Sequence, residues 1–224
     1  MSPRISCIIP VWNGERFLGQ ALDSVFAQSL PPDEVIVVDD GSTDGSADIV
    51  LGRCEQIQLI RQAKGGAASA RNTGVRVATG NLFAFIDADD LWLPAKVQRQ
   101  LETLYSAPAS GCCVTLIDTF LEDSLCADAG PTSLNQPKVG HLASALMVWR
   151  EAWERIGPMD ESMQIRAEFD WFARISRAAI GIVTVPEILA RRRLHRDNIS
   201  RRFTAASIDA AFDTIQRHRG RGVL

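Results

Sequence analysis

The sequence predicts an α/β domain with a central, mostly parallel β-sheet that helices cover on both faces. Short continuous apolar runs, typical of strands buried on both faces, alternate with segments whose apolar residues recur at helical spacing. Two of the runs end abruptly in acids, the first at Asp39 and Asp40 and the second at Asp87, Asp89 and Asp90. Because parallel strands open into one crevice at their carboxyl ends, we expect both acid sets to lie there.

The first half of the chain contains four predicted strands and the helices between them. Asn13 is predicted to cap the first helix, Ser42 or Asp44 the second, and Pro94 is placed at the first helical position of the last. The predicted strands cover residues 5–11, 35–38, 57–60 and 82–86, and apolar periodicity predicts helices over 17–26, 67–78 and 94–105.

The alternation breaks after residue 117, so we predict that the chain divides into halves within one domain, residues 1–224. The first half is 1–105, the second is 106–200, and 201–224 form a terminal helix and tail. The second half is predicted to contain strands over 112–117 and 180–185, a long loop over 118–140, an apolar run over 142–148, and helices over 150–157 and 167–176, the last with Phe169, Phe172 and Ile175 in the core.

Composition narrows the class of protein. The chain has 224 residues, 24 basic and 27 acidic, with a formal net charge of -3, so nothing predicts a nucleic-acid partner. Five cysteines without C-x-x-C spacing favour buried thiols in a reducing compartment over a disulfide framework or a zinc site. No stretch approaches the roughly 20 apolar residues of a transmembrane helix, and we expect a cytoplasmic protein.

The acids after residue 86 suggest a cation site. Asp87 and Asp89 share a face of an extended backbone, and where the strand turns one can hold a hard divalent metal while the other accepts from a hydroxyl. Such a site suits a nucleotide diphosphate, because the metal bridges carboxylate and phosphate oxygens. The alternative is a solvated, Asp-rich turn.

Several long segments resemble the family 2 glycosyltransferases of the GT-A fold. The resemblance implies inverting transfer of a sugar from a nucleotide-sugar donor to a hydroxyl acceptor, which is a glycan, lipid carrier, peptide or small molecule, with Mg or Mn as cofactor. The residues do not reveal the acceptor, the donor sugar or the oligomeric state. The matching segments are IIPVWNGERFLGQALDSVFAQ at 8–28, VIVVDDGSTDGSADIV at 35–50, GGAASARNTGVRVATG at 65–80, FIDADDLWLPAKV at 85–97, REAWERIGPMDE at 150–161 and AEFDWFARI at 167–175.

The resemblance implies that Asp39 and the loop after the first strand bind the base of the nucleotide. As a carboxylate, Asp39 can accept the N3 proton of uracil, which favours a UDP-sugar. The alternative is a helix-capping acid. The nucleotide-binding residues that the resemblance implies in this loop are Pro10, Val11, Asn13 and Glu15.

The resemblance also implies roles around the diphosphate. Arg71 matches an arginine near the nucleotide, with a surface helix arginine as the alternative, and Asn72 and Gly74 shape a turn that lets the backbone approach the ligand. Asp87 meets the ribose or donor sugar, and Asp89 binds the metal. Structural roles are expected for Asp90, Trp92 and Pro94.

Glu168 is the first candidate for the general base and Asp170 the second. The family commonly shows an adjacent Glu-Asp pair, whereas this chain has Ala167 before Glu168. Glu168 has the spacing of the base, and a helix start stabilises its charge; the remaining alternative is that both acids only cap the helix. Trp171 either stacks on an acceptor ring or packs in the core.

His195, with Arg193, falls in a segment that resembles the family's late Arg- and His-containing motif. The resemblance implies that His195 contacts the metal or the diphosphate and that the pair forms a positive lid over the leaving nucleotide. The alternative is a solvated basic strand end with His195 exposed.

Proteins of other classes fit less well. In a phosphorelay receiver the acid pair follows the first strand and the chain is about half as long, and a nicotinamide dehydrogenase requires G-x-G-x-x-G after a strand. A catalytically impaired nucleotide-sugar-binding module remains as an alternative because the Glu-Asp pair is altered.

Overall fold

The computed structural model describes residues 3–53, 57–122, 138–163 and 167–195. Within these ranges the strands are β1 (Ile5–Val11), β2 (Glu34–Asp39), β3 (Ile57–Arg61), β4 (Leu82–Phe85), β5 (Leu91–Trp92), β6 (Ser110–Leu121), β7 (Lys138–Val139), β8 (Leu146–Trp149) and β9 (Gly181–Leu194). The helices are α1 (Glu15–Phe26), α2 (Ser46–Leu51), α3 (Ala67–Val77), α4 (Lys96–Ser106), α5 (Arg150–Ile156) and α6 (Ala167–Arg177), and Ala143–Ala145 form a short 3₁₀ helix. None of the described helices is long and apolar enough to cross a membrane.

All strands join one sheet in the order β3-β2-β1-β4-β8-β6-β9-β5, with β7 paired to β6. β3, β2, β1 and β4 are parallel, and β9 is parallel to β6. β8 runs antiparallel between β4 and β6, and β5 antiparallel to β9. The predicted α/β class is confirmed: four parallel strands come from the first part of the chain, and each antiparallel pair includes a strand from the second.

Helices cover both faces of the sheet, each over its own apolar cluster. One cluster packs α1 and α4 against the sheet through Leu18, Leu22 and Leu104. The other receives α3, α5 and α6, where the Trp153 ring lies 5.4 Å from Phe85 and 5.0 Å from Trp171 between centroids. Trp171 is fully buried, so its core alternative is correct. Buried free thiols are confirmed at Cys7, Cys112 and Cys113, whereas Cys54 and Cys126 lie outside the described residues.

The predicted N-cap at Asn13 and the predicted first helical position at Pro94 are both wrong. α1 begins one residue after Gly14, and Asn13 has a positive φ of 51° and accepts a hydrogen bond from the Thr43 amide (2.8 Å), so its side chain joins two loops instead. Pro94 lies two residues before α4, whose N-cap is Ala95.

β6 and β9 are longer than predicted. β6 continues to Leu121 where a loop over 118–140 was expected, and β9 continues to Leu194 rather than ending at Val185. The two strands pair in parallel along this extension, and their charged side chains pair across it, as Arg191 does with Asp118 (3.2 Å). Of the predicted features, residues 123–137 of the loop and the tail 201–224 lie outside the described residues.

Three further expectations in the helices are corrected. A Cβ on Gly74 would lie 2.5 Å from Cγ2 of Ile8, so this glycine allows α3 to pack on β1 rather than opening a path to a ligand. Asn72 is buried and exchanges hydrogen bonds with the main chain of Met159, which joins α3 to the segment after α5. Phe169 is only partly buried and belongs to neither core cluster.

The lysine that begins α4 is fully buried. Lys96 donates a hydrogen bond to Oε1 of Gln100 (2.7 Å), and its ammonium lies 4.2 Å from the centroid of the Trp92 ring. Burial lowers the pKa of Lys96 to about 7, and the nearby thiols of Cys7 and Cys113 oppose this only weakly. Because the pKa in the unfolded chain is about 10.4, the unfolded state binds one more proton between these values, and folding stability rises with pH there.

We therefore expect Lys96→Met to stabilise the protein most below pH 7, because it removes a buried charge. The advantage over the parent should shrink as pH rises from 7 to 8.5, with a limiting slope of about 1.4 kcal/mol per pH unit. Urea denaturation at several pH values measures this, with the exposed Lys138→Met as the control. A difference that does not change with pH would contradict a neutral Lys96.

Candidate functional site

The site lies at the carboxyl edge of the parallel strands. Asp39 ends β2 opposite Val11 of β1, and Asp87 follows β4, whose Phe85 lies opposite Ile8 of β1. Because β1 separates β2 from β4 and neighbouring strands are about 4.8 Å apart, Asp39 and Asp87 are separated by about 10 Å. The two acid sets therefore border one cleft, within reach of one small ligand.

Asp39 is fully buried at the floor of one side of this cleft. Its carboxylate accepts hydrogen bonds from the Ser42 amide (2.8 Å) and from Nε of Arg61 (3.2 Å), whose own side chain is exposed. The carboxylate thus closes the turn after β2, yet it retains lone pairs for another donor.

The two loops beside Asp39 are joined by reciprocal hydrogen bonds. Oδ1 of Asn13 accepts from the Thr43 amide, and the Glu15 carboxylate accepts from the Gly45 amide (3.0 Å), so these side chains hold the loop after β1 on the loop after β2. Pro10 and Val11 are buried in β1 and carry this loop.

An aromatic ring and a lysine lie next to these loops. The ammonium of Lys64 lies 3.0 Å from the centroid of the Trp12 ring, a cation–π contact. Asp40 builds the loop that carries Lys64, because its carboxylate accepts from the amides of Gly65 (2.8 Å) and Gly66 (2.7 Å).

Arg71 joins the two halves of the chain at the centre of the site. Its Nη2 donates to Oδ1 of Asp87 and forms an ion pair with Oε1 of Glu168 (2.9 Å). Only 3% of Arg71 is exposed, so the alternative of a surface helix arginine is wrong. Its buried Nε has no hydrogen-bond partner in the described part of the chain.

The electrostatics of Asp87 reflect this crowding. Desolvation raises its pKa, the Arg71 guanidinium lowers it, and the carboxylates of Glu168 and Asp89 raise it again; the net shift is upward. Arg71 therefore only partly offsets the cost of gathering these charges.

Asp89 faces His195 at the end of β9. Nε2 of His195 lies 2.9 Å from Oδ2 of Asp89, and the imidazole packs at 4.6 Å from the Phe17 ring. His195 is 7% exposed, so the alternative of an exposed histidine on a solvated strand end is wrong. The Asp89 side chain keeps about 30% of its surface exposed.

Asp90 is a structural residue, as predicted. Its carboxylate accepts from the Ser144 hydroxyl (2.6 Å) and from the Arg193 amide (3.0 Å). Burial, together with Asp89 and Asp87, raises the pKa of Asp90 well above its usual range. Trp92, also expected to pack, is buried and donates from Nε1 to the Ser144 carbonyl (2.9 Å).

Arg193 is not a lid. It is 5% exposed, and its guanidinium donates to the Asp89 carbonyl (2.9 Å), to Glu122 (2.7 Å) and to Gln20 (2.6 Å). The expected positive lid with His195 is therefore wrong for Arg193, which is directed into the protein.

The two candidate bases have different surroundings at the start of α6. Glu168 reaches Arg71 and Asp87 at the cleft, whereas Asp170 pairs with Arg174 one turn later (2.9 Å). Arg174 in turn donates to the main-chain carbonyls of Ile156, the last residue of α5, and of Pro158. The geometry brings Glu168 into the site and gives Asp170 a structural contact.

Comparison with known proteins identifies the family. The sequence profile described as Glycosyl transferase family 2 matches residues 6–155, more than half of the chain. The chain belongs to this family.

Relatives of this family 2 chain are named glycosyltransferases. An uncharacterised glycosyltransferase of Nostoc sp. is 34% identical over 216 residues, covering 87% of this chain and 66% of the relative. One of Rickettsia prowazekii is 28% identical over 207 residues, covering 87% of this chain and 65% of the relative. The chain thus spans about two thirds of the length of these relatives.

Solved structures share the fold of this family 2 chain. TarS of S. aureus, solved in complex with UDP-GlcNAc, has a TM-score of 0.73 at 17% identity and covers 99% of this chain and 68% of its own. Mannosyltransferase PcManGT of Pyrobaculum calidifontis, solved in complex with GDP-Man and Mn2+, has a TM-score of 0.67 at 22% identity, covering 88% of this chain and 59% of its own. Both confirm the GT-A glycosyltransferase architecture.

The metal-binding atoms at Asp89 suit a divalent cation only if a bound substrate and water supply the remaining ligand atoms. Among the described residues, no group of three His, Cys, Asp or Glu side chains is arranged to hold a metal. The adjoining carboxylate of Asp89 and imidazole of His195 supply two donors, and Mg or Mn commonly takes the remainder from phosphate oxygens and water.

Ser144 is the residue of this family 2 site that sequence reasoning missed. Its hydroxyl donates to Asp90 and accepts from the Asp87 amide (3.1 Å). One side chain thus supports both ends of the turn at residues 87–90, which we call the acidic turn. A lone serine in an apolar run carries no signal of such a role.

We expect Ser144→Ala to lower the free energy of unfolding by about 1–3 kcal/mol, because a buried amide and a buried carboxylate each lose a partner. Ser24→Ala is the control, since the Ser24 hydroxyl accepts from the Trp92 amide (3.1 Å) but touches none of the acids. Urea denaturation compares them. Equal losses in the two variants would show that the contacts to the acidic turn have no special weight.

Proposed function

We propose that this chain transfers a sugar from a nucleotide-diphosphate sugar, specifically a UDP-sugar, to a hydroxyl acceptor with inversion and with the help of Mg or Mn. The observation that carries the proposal is the arrangement of Arg71, Asp87 and Glu168 beside Asp89 and His195 in one cleft. The donor side is assigned to residues 1–105 and the acceptor side to residues 106–200.

The nucleoside lies against the loops that Asn13 and Glu15 join, with Pro10 and Val11 behind them. Asp39 accepts the N3 proton of uracil, which supports UDP over GDP because guanine presents a different edge. The complexes of TarS with UDP-GlcNAc and of PcManGT with GDP-Man are consistent with either nucleotide in this fold, so the choice rests on Asp39.

The diphosphate lies between Asp89 and Arg71. Asp89 and His195 are the residues that would hold the divalent cation, and Asp87 would meet the ribose or the donor sugar. When bound, the cation neutralises the charge that develops on the departing diphosphate. The Nε–H group of Arg71 is buried and has no hydrogen-bond partner among the described residues. An oxygen atom of the nucleotide sugar would accept this hydrogen bond.

Glu168 acts as the general base. The acceptor oxygen forms a bond to the anomeric carbon while the bond from that carbon to the diphosphate oxygen breaks. The hydroxyl proton passes to the Glu168 carboxylate, and the nucleoside diphosphate leaves with the bonding electron pair. Attack from the face opposite the leaving group inverts the anomeric configuration.

We expect UDP to bind weakly in chelator and more tightly with Mn, and Asp89→Ala to abolish the Mn-dependent part of the affinity. Asp39→Ala should instead weaken uridine itself. Isothermal calorimetry measures both, with Asp118→Ala, an acid of β6 outside the cleft, as the control. Equal UDP affinity in chelator and in Mn would refute the metal site, and unchanged uridine binding would leave Asp39 as a turn residue only.

We expect Glu168→Gln to lower turnover by about 10² to 10⁴ with UDP affinity nearly intact, because a positioned base contributes that much. Asp170→Asn should mainly lower stability, since it loses Arg174. Transfer and donor-hydrolysis assays measure turnover, and NMR of the product tests inversion. Loss of turnover in Asp170→Asn alone would move the base to Asp170, and a parent protein that binds UDP-sugars without transfer or hydrolysis would indicate an impaired binding module.

A further inference from the structure

Two arginines on β9 contact the same aromatic ring but differ in burial, since 38% of the Arg191 side chain and 6% of the Arg193 side chain are exposed. Arg191 and Arg193 are two residues apart on the strand, and each guanidinium lies 4.7 Å from the centroid of the Phe120 ring. Each also pairs with a carboxylate from β6 or its end, Arg191 with Asp118 and Arg193 with Glu122. Among the contacts of the described residues, only those of Arg193 extend to the acidic turn.

The guanidinium of Arg193 is held from several directions. It lies between aromatic rings, since Phe17 is 4.6 Å away as well as Phe120. Nη1 donates to Glu122 and Nη2 to Gln20 of α1, which leaves Nε directed at the carbonyl of Asp89. A planar guanidinium offers donors in these three directions at once, which a lysine ammonium on a flexible stem does not reproduce.

Arg193 thereby restrains two consecutive residues of the turn. Its side chain binds the Asp89 carbonyl and its main-chain amide binds the Asp90 carboxylate (3.0 Å). Two residues later the same strand delivers His195 to the Asp89 carboxylate. With the main chain of Asp89 fixed and its partner imidazole on the same strand, the direction of its carboxylate depends on Arg193.

We propose that Arg193 is a positioning residue that holds the turn at 87–90 so that the Asp89 carboxylate faces the cleft beside His195. Its role in ligand binding rests on the proposed function, in which Asp89 engages the cation of the donor complex. Arg193 acts through the turn, because one N–H group of each of its three guanidinium nitrogens binds Asp89, Glu122 or Gln20.

Arg193→Met tests the proposal with two measurements. Hydrogen exchange followed by mass spectrometry should show faster exchange in the peptide covering 86–92, whose Asp90 amide donates to the Asp87 carbonyl (3.0 Å). Calorimetry should show Mn-dependent UDP affinity weakened by about 10- to 100-fold, as for residues that orient a metal ligand, with uridine affinity unchanged. Glu122 keeps a cationic partner in Arg16 (3.1 Å), which favours folding of the variant.

Two controls separate positioning from general destabilisation. Arg191→Met removes the same ring contact and a similar ion pair without touching the turn. Arg150→Met removes an arginine that donates to the main-chain carbonyls of Ala78 and Gly80, remote from Asp89. Arg193→Lys serves if Arg193→Met does not fold, and it should show the same two changes because a lysine lacks the planar fork.

The outcomes are distinct. Normal exchange in 86–92, or exchange raised equally in Arg191→Met, would overturn the positioning role whatever the ligand. Faster exchange with unchanged Mn-dependent UDP affinity would overturn its link to Asp89. If the parent protein itself shows no Mn-dependent UDP binding, the proposed donor and cofactor fail, while the exchange data still decide whether Arg193 holds the turn.

Discussion

The site depends on one physical constraint, the neutralisation of crowded carboxylates by a buried arginine. Asp87 and Glu168 approach the same nitrogen of Arg71, and two like charges about 4 Å apart would otherwise repel by about 4 kcal/mol at an effective dielectric constant of 20. Arg71 reaches this point because α3 packs closely on β1, where Gly74 leaves room for Ile8. A glycine in the core therefore sets the position of the Arg71 guanidinium. The fold and the chemistry of the site are coupled through this contact between α3 and β1.

The parallel half of the fold was predictable because strands that are buried on both faces have continuous apolar sequences. The outer parts of β6 and β9 were not, since they alternate polar residues that suggest a loop or a solvated end. Their charges are satisfied by each other, as with Arg191 and Asp118, which are 73 residues apart in the chain. Such pairing is a property of two distant segments together, and a single-sequence pattern does not contain it.

The acids at strand ends located the candidate site, because the direction of parallel strands alone brings them to one edge. What pattern reasoning missed are residues defined by their partners, such as Ser144, and the burial of Arg193. The altered Glu-Asp pair also has a physical explanation: Ala167 is buried in the apolar cluster under α6, where a carboxylate would be desolvated, while Glu168 faces Arg71. Position 167 therefore packs in the core, and Glu168 is the acid of this segment that pairs with Arg71.

The shared nitrogen of Arg71 has a consequence for the order of events under the proposed function. Asp87 belongs to the donor side and Glu168 to the acceptor side, and both compete for the same cationic group. A diphosphate carries more negative charge than either carboxylate, so its arrival draws Arg71 toward the donor and weakens the ion pair with Glu168. A Glu168 side chain released from Arg71 can turn toward the acceptor hydroxyl. Under the proposed function the arrangement therefore favours an order in which the donor binds before the acceptor.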